Sequence, residues 1–160
     1  MTYQDTYAYK WANHADTVKW LAGKFADMGF EVWFGYGARD AGKMVSKNGD
    51  PNEPDIFVAW KGEKLAGIEV TGSERARVPP GDIYVRKSKL DHAMKSDIPV
   101  WFYMVYQRHY VLRTDDVWPY REHTTKVGQD RDPYVVVPCT VGKPIGALFD
   151  WLKEAKGMVP

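Results

Sequence analysis

The fold of this chain is decided by residues 54–71, which read PDIFVAWKGEKLAGIEVT. Two β-rich runs flank a polar turn that contains a glycine, so the stretch predicts a β-hairpin. Asp55 opens the first strand, and Glu69 lies near the end of the second. Because hairpin strands are antiparallel, both carboxylates are expected at the same end of the hairpin. Carboxylates in apolar strands are costly to bury without a compensating charge, so the pattern predicts a divalent-cation site.

These residues resemble the PD-(D/E)xK nuclease superfamily, and within it the archaeal and phage nucleases of the Holliday-junction-resolvase type. Pro54 and Asp55 match the first half of the motif, and Glu69 matches the acidic residue of the second half. The resemblance spans roughly residues 14–106. It implies an α/β fold, a restriction-endonuclease-like mixed central sheet flanked by helices.

The sequence departs from the superfamily pattern at Thr71, which stands where the family most often has its lysine. Some members supply this lysine from the helix that follows the strand. Lys87 and Lys89 occupy that region, and the sequence around Lys89 makes it the preferred substitute. An exposed helix lysine with no role in catalysis is the alternative interpretation of Lys89.

The resemblance implies a metal-dependent DNA endonuclease that hydrolyses phosphodiester bonds. Asp55, Glu69 and the backbone carbonyl of Val70 would hold the ion. Hard oxygen ligands favour Mg²⁺ or Mn²⁺ over zinc. Lys89 would steady the attacking hydroxide or the charge that develops on phosphorus, and the hydroxyl of Thr71 could orient a water. A catalytically inactive DNA-binding or assembly module with the same fold is the alternative, and Thr71 favours it.

Basic residues are concentrated directly after the hairpin. The formal net charge is only +1, and residues 1–50 carry six basic and six acidic side chains, whereas residues 72–95 carry six basic and three acidic ones. This excess predicts either a solvated loop and helix face or a rim that contacts phosphates. The candidate nucleic-acid-binding residues are Arg75, Arg77, Arg86, Lys87 and Lys89.

Composition indicates a soluble, cytoplasmic protein with a single domain over residues 1–160. Cys139 is the only cysteine, so an intramolecular disulfide is excluded. The sequence has neither a signal-peptide pattern nor a membrane-length apolar run, and it contains no nucleotide-binding phosphate loop. Aromatic residues make up 14% of the chain, which predicts that some rings line a surface facing a ligand, a partner or bases. Homodimerisation is expected from the family, because cutting two strands symmetrically needs two sites.

The remaining helices follow from apolar periodicity and end signals. The sequence predicts a helix over residues 13–28, capped by Asn13 or Asp16, in which Asp16 and Asp27 face solvent or cap. Ser88 is predicted to cap a second helix over residues 89–95, and a third helix is predicted over residues 144–156. The N-terminal helix lacks the glutamate that family members often contribute to the metal site.

The remaining strands are predicted over residues 29–36, 82–85, 98–106, 110–114 and 134–137, the last at a sheet edge. Residues 98–106 are the most hydrophobic run and predict a buried central strand that runs parallel to the second hairpin strand. The four histidines are scattered, so each is interpreted as a surface or capping residue. They are His14, His92, His109 and His123.

Overall fold

The structure is a computed structural model that describes residues 3–35, 52–72, 82–105, 109–126 and 132–160, with side chains from residue 14 onward. The helices and longer strands of these ranges are, in chain order, α1 (Tyr3–Asp27), β1 (Glu31–Phe34), β2 (Ile56–Trp60), β3 (Glu63–Gly72), β4 (Asp82–Arg86), α2 (Lys87–Met94), β5 (Val100–Val105), β6 (His109–Arg113), α3 (Thr114–Val117), β7 (Thr124–Thr125), β8 (Tyr134–Pro138) and α4 (Ile145–Gly157).

The central sheet has five strands in the order β1-β2-β3-β5-β6. The predicted hairpin is confirmed, because β2 and β3 pair antiparallel with Ile56 opposite Ile68. Strand β5 runs parallel to β3, as the sequence predicted, and antiparallel to β6. The sheet is therefore mixed, and the chain crosses between β3 and β5 through β4 and α2.

The two faces of the central sheet are covered by different layers. Helices α1 and α4 pack on one face, where Leu21, Phe25 and Leu152 join apolar side chains of the sheet. On the other face, α2, α3, β4 and β8 pack against β5 and β6. Strand β5 is buried along its whole length because its side chains alternate between these two cores.

The hairpin turn has the geometry that its sequence requires. Lys61 and Gly62 both have positive φ, 51° and 78°, which matches the right-handed twist of the two strands. The backbone N–H of Gly62 donates to Glu31 Oε1 of β1 at 3.1 Å. The turn sets the pairing beside it, and an irregularity between Val58 and Ala59 then shifts the register to the one that places Asp55 beside the end of β3.

Three predictions about the elements are wrong. Helix α1 begins at Tyr3, so Asn13 and Asp16 lie inside the helix rather than at its cap. Ser88 lies inside α2, and its hydroxyl donates to Asp132 instead of capping the helix. Strand β8 is no edge strand, because it is the middle strand of a second sheet with the order β4-β8-β7.

In the described part of the chain, no helix has the length and apolar content needed to span a membrane.

Gly67 leaves room for the residue that precedes Asp55. A Cβ at Gly67 would lie 2.5 Å from Pro54 Cγ, and the rigid proline ring cannot yield without moving its neighbour Asp55. We expect Gly67→Ala to lower the free energy of unfolding by about 1–3 kcal/mol in denaturant titrations. Gly23→Ala is the matched control: a Cβ there meets nothing within 4 Å, and we expect a gain of about 0.5–1 kcal/mol. Equal effects of the two substitutions would contradict this packing.

Candidate active site

Asp55 immediately precedes β2 and is buried, with 2% of its surface exposed. Its Oδ2 accepts a hydrogen bond of 2.8 Å from the backbone N–H of Val70 on β3. The bond continues the pairing of β2 and β3 beyond Ile56, the last ladder residue at this end. A charge-assisted bond from a backbone N–H holds the carboxylate in one position, next to the peptide unit that follows Glu69.

Helix α1 contributes His14 to the same site. Its Nε2 lies 3.2 Å from the backbone carbonyl oxygen of Val70 and 3.5 Å from Asp55 Oδ2. Burial by itself lowers the pKa of His14. The hydrogen bond and charge of Asp55 and the bond to Val70 outweigh burial and hold the pKa above its ordinary value of 6.5. Asp55 and Val70 thus favour the protonated form of the His14 imidazole.

Glu69 is paired with Lys89 from α2. Lys89 Nζ lies 3.2 Å from Glu69 Oε1, and the two side chains are only 19% and 8% exposed. Burial and the neighbouring charge of Asp55 raise the pKa of Glu69 well above its ordinary value, against the opposing effect of Lys89. Glu69 Oε2 is buried and has no hydrogen-bond partner among the described residues. One oxygen of this carboxylate is therefore compensated and the other is not.

Arg86 also contributes to the electrostatics of the site, because its charge opposes the rise in the pKa of Glu69. The guanidinium donates to the hydroxyl of Tyr134 at 2.8 Å and lies 5.1 Å from the centre of its ring. Lys87 instead pairs with Asp91 one turn along α2, at 3.5 Å, with both side chains partly exposed. The predicted phosphate contacts Arg75 and Arg77 lie outside the described residues.

The donor set suits a hard divalent cation. Asp55 and Glu69 offer carboxylate oxygens, and the unpartnered Oε2 of Glu69 has the burial and charge that a cation would compensate. The carbonyl of Val70 accepts a hydrogen bond from His14 and keeps a second lone pair. No cluster of three or more His, Cys, Asp or Glu ligands occurs within the described ranges, where the Val70 carbonyl and water could add to the two carboxylates.

His14 is the site residue that the sequence interpretation missed. It was interpreted as a surface or capping residue, which is wrong, because its partner Val70 is 56 residues away in sequence and no local spacing reveals the contact. Asp16 and Asp27 are exposed, as predicted, and neither reaches the site. The usable signal was a histidine near the start of the predicted N-terminal helix, the helix from which family members often contribute a side chain to the metal site.

Two solved structures resemble this chain over most of its length. D212, a nuclease from a fusselovirus, is 14% identical, with a TM-score of 0.56 over 97% of this chain and 95% of that one. Hjc, a Holliday junction resolvase from the archaeal hyperthermophile Archaeoglobus fulgidus, is 12% identical, with a TM-score of 0.50 over 84% of this chain and 97% of that one. No protein-family model and no curated protein matches the chain in sequence. The chain therefore shares the fold of these two nucleases, a restriction-endonuclease-like mixed sheet flanked by helices, which confirms the predicted fold class.

The raised pKa of Glu69 makes stability depend on pH. The folded protein holds the Glu69 proton more tightly than the unfolded chain, so the contribution to stability is greatest below pH 4.5 and is lost as pH rises through the folded-state pKa. Glu69→Gln cannot lose a proton and avoids this loss. We expect the free energy of unfolding of the variant, relative to that of the wild type, to increase by at least about 1 kcal/mol as the pH is raised from 4 to 8. Denaturant unfolding in chelator measures this difference.

Glu63→Gln is the control for this measurement, because Glu63 is an exposed carboxylate on the same strand. The difference between this variant and the wild type should change little with pH. A Glu69→Gln difference that stays constant or shrinks as pH rises would contradict the electrostatic description of the site.

Proposed function

We propose that this chain is a metal-dependent DNA endonuclease. The observation that carries the proposal is the pair of buried carboxylates on a restriction-endonuclease-like hairpin, with Lys89 Nζ 3.2 Å from Glu69 Oε1. A hairpin that served only the fold would gain nothing from two converging buried charges, because apolar side chains of similar volume are usually at least as stabilising there.

Asp55, Glu69 and the Val70 carbonyl are the groups that would hold a Mg²⁺ or Mn²⁺ ion. When bound, such an ion polarises a phosphodiester oxygen and lowers the pKa of a coordinated water. His14 fixes the Val70 carbonyl and the Asp55 carboxylate through contacts of 3.2 and 3.5 Å. The Val70 N–H holds the same Asp55 oxygen, so both groups keep their geometry before any ligand arrives.

Lys89 takes the part of the lysine that is missing at position 71. Its ammonium group reaches Glu69 from α2, across the face of the sheet, instead of along β3. From this position it can donate a hydrogen bond to a phosphate oxygen and stabilise the negative charge that develops there. Thr71 lies two residues after Glu69 on the same face of β3 and is partly exposed, so its hydroxyl can orient a water.

DNA is the proposed substrate for two reasons. The two similar structures are a viral nuclease and a Holliday junction resolvase. Arg86, which Tyr134 holds by a hydrogen bond and a ring contact, also places a positive charge near Glu69. Cutting both strands of a duplex would use two copies of the chain, and we propose a homodimer as the working form.

A cleavage assay tests the proposal. Supercoiled plasmid, linear duplex, a four-way junction and a single strand are incubated with Mg²⁺, Mn²⁺ or chelator. We expect metal-dependent cutting by the wild type. Asp55→Asn and Glu69→Gln should lower the rate by at least about a hundredfold, and Lys89→Met by about tenfold to a thousandfold, because each removes a group acting on the transition-state charge.

Lys153→Met is the control, since Lys153 is an exposed lysine of α4, on the opposite face of the sheet. It should cut at the wild-type rate. Cutting that survives in both carboxylate variants would contradict the assignment of the site. A wild type that binds DNA and cuts none of the substrates with either metal would establish the inactive binding module instead.

A further inference from the structure

An aromatic patch lies on the side of the hairpin that faces away from α1. It consists of Trp33 on β1, Phe57 on β2 and Lys64 on β3. Trp33 and Phe57 are directly opposite each other in the β1–β2 register. The ammonium of Lys64 lies 4.2 Å from the centre of the Phe57 ring and 5.7 Å from the ring centre of Trp33. The three side chains thus form one continuous surface across three strands.

The patch shares its sheet face with Glu69. Phe57 is opposite Gly67 in the β2–β3 register, and Glu69 is two residues further along β3. Side chains two apart in a strand point to the same face, so the carboxylate lies about 7 Å along the strand from the position opposite Phe57. The neighbouring Ile56 and Ile68 point the other way, into the core beneath α1.

Within the described ranges, the two hydrophobic cores do not account for these two rings. Neither Trp33 nor Phe57 belongs to either hydrophobic core of the described residues, and both are partly exposed. The second layer packs on β5 and β6, and its core contains no residue of β1, β2 or β3. Lys64 is exposed and covers the rings by cation–π contacts, which a flexible lysine stem can release.

We propose that the aromatic patch binds unpaired bases of the DNA strand that enters the active site. Bases stack on aromatic rings whatever their sequence, and a lysine beside the rings neutralises the adjoining phosphate. The bases of an intact duplex are stacked on one another and offer no free ring face. This inference rests on the proposed nuclease function and deepens it: the preferred substrate carries unpaired nucleotides next to the bond that is cut.

The charge of the surroundings favours a nucleic acid over a second protein chain. Lys64 lies on the patch, and at the Glu69 end of the same face Arg86 and Lys89 offset the charge of the carboxylates. An extended polyanion with flat rings complements a row of cations next to aromatic side chains. A second copy of this chain would bring the same cations to face one another.

Binding in chelator separates this proposal from cleavage. Fluorescence anisotropy is measured with an oligothymidylate of about 15 nucleotides and with a duplex of equal length. We expect Trp33→Leu and Phe57→Leu each to weaken single-strand binding by about 5- to 100-fold and duplex binding by less than about twofold. Trp33→Phe keeps a ring and should retain most of the affinity. Lys64→Ala should reduce the slope of log affinity against log salt by about 0.7.

Trp20→Leu is the matched control. Trp20 is 47% exposed on α1, on the far side of the sheet, and Lys24 Nζ lies 5.6 Å from its ring centre. The substitution therefore disrupts a similar lysine–aromatic pair that is remote from the site. Its single-strand affinity should equal that of the wild type. If Trp33→Leu lowers the melting temperature, its weaker binding could come from unfolding. The role of the patch is then judged from Trp33→Phe and from Lys64→Ala, which changes an exposed side chain.

The proposal would be overturned if the Trp33 and Phe57 variants lost affinity equally for the single strand and the duplex, or lost none for either. It would also be overturned if Trp20→Leu weakened single-strand binding as much as they do. A change of oligomeric state in the patch variants with unchanged single-strand affinity would also overturn it, since the patch would then bind a second copy. If the patch variants lose only single-strand affinity and the wild type never cuts DNA, the patch proposal stands and the nuclease proposal is refuted. If the wild type cuts DNA with metal and the patch variants bind single strands as the wild type does, the nuclease proposal stands and the patch proposal is refuted.

Discussion

Two carboxylates are buried side by side at the end of one hairpin, and much of the structure compensates their charge. Asp55 is held by the N–H of Val70 and faced by His14 from α1, while Glu69 is faced by Lys89 from α2. The two helices lie on opposite faces of the central sheet. The three-layer arrangement therefore has a chemical consequence, because each of the two outer layers delivers one basic side chain to the same strand ends.

This compensation is incomplete at Glu69. Burial and Asp55 keep its pKa high despite Lys89, and its Oε2 has no hydrogen-bond partner among the described residues. A protein that kept the pair only for stability would be expected to satisfy both oxygens. The residual electrostatic cost is what a bound cation would remove, and a site that is destabilised when empty is typical of functional sites.

The sequence was sufficient for the hairpin and its two acids, because these depend on alternation and on a short turn that are local in the chain. It did not predict the register shift between Val58 and Ala59. It did locate Lys89 on a helix after β3, although the contact with Glu69 needed the crossover to be built. His14 could not be found in this way, since its contacts join the first helix to β3 and the start of β2. Strand β8 was misplaced because its partner β4 lies far from it in sequence and its other partner, the two-residue strand β7, has no pattern of its own; the three form a second sheet.

The most direct measurement of the central claim is the melting temperature with increasing Mn²⁺ or Mg²⁺, for the wild type and for the Asp55→Asn/Glu69→Gln double variant. A cation that binds only the folded protein stabilises it by mass action, by about 2.7 kcal/mol at a hundred times its dissociation constant. We expect the wild-type melting temperature to rise by several degrees, saturably, and that of the double variant to stay constant. No rise in the wild type, or the same rise in both proteins, would show that the two carboxylates do not form a metal site.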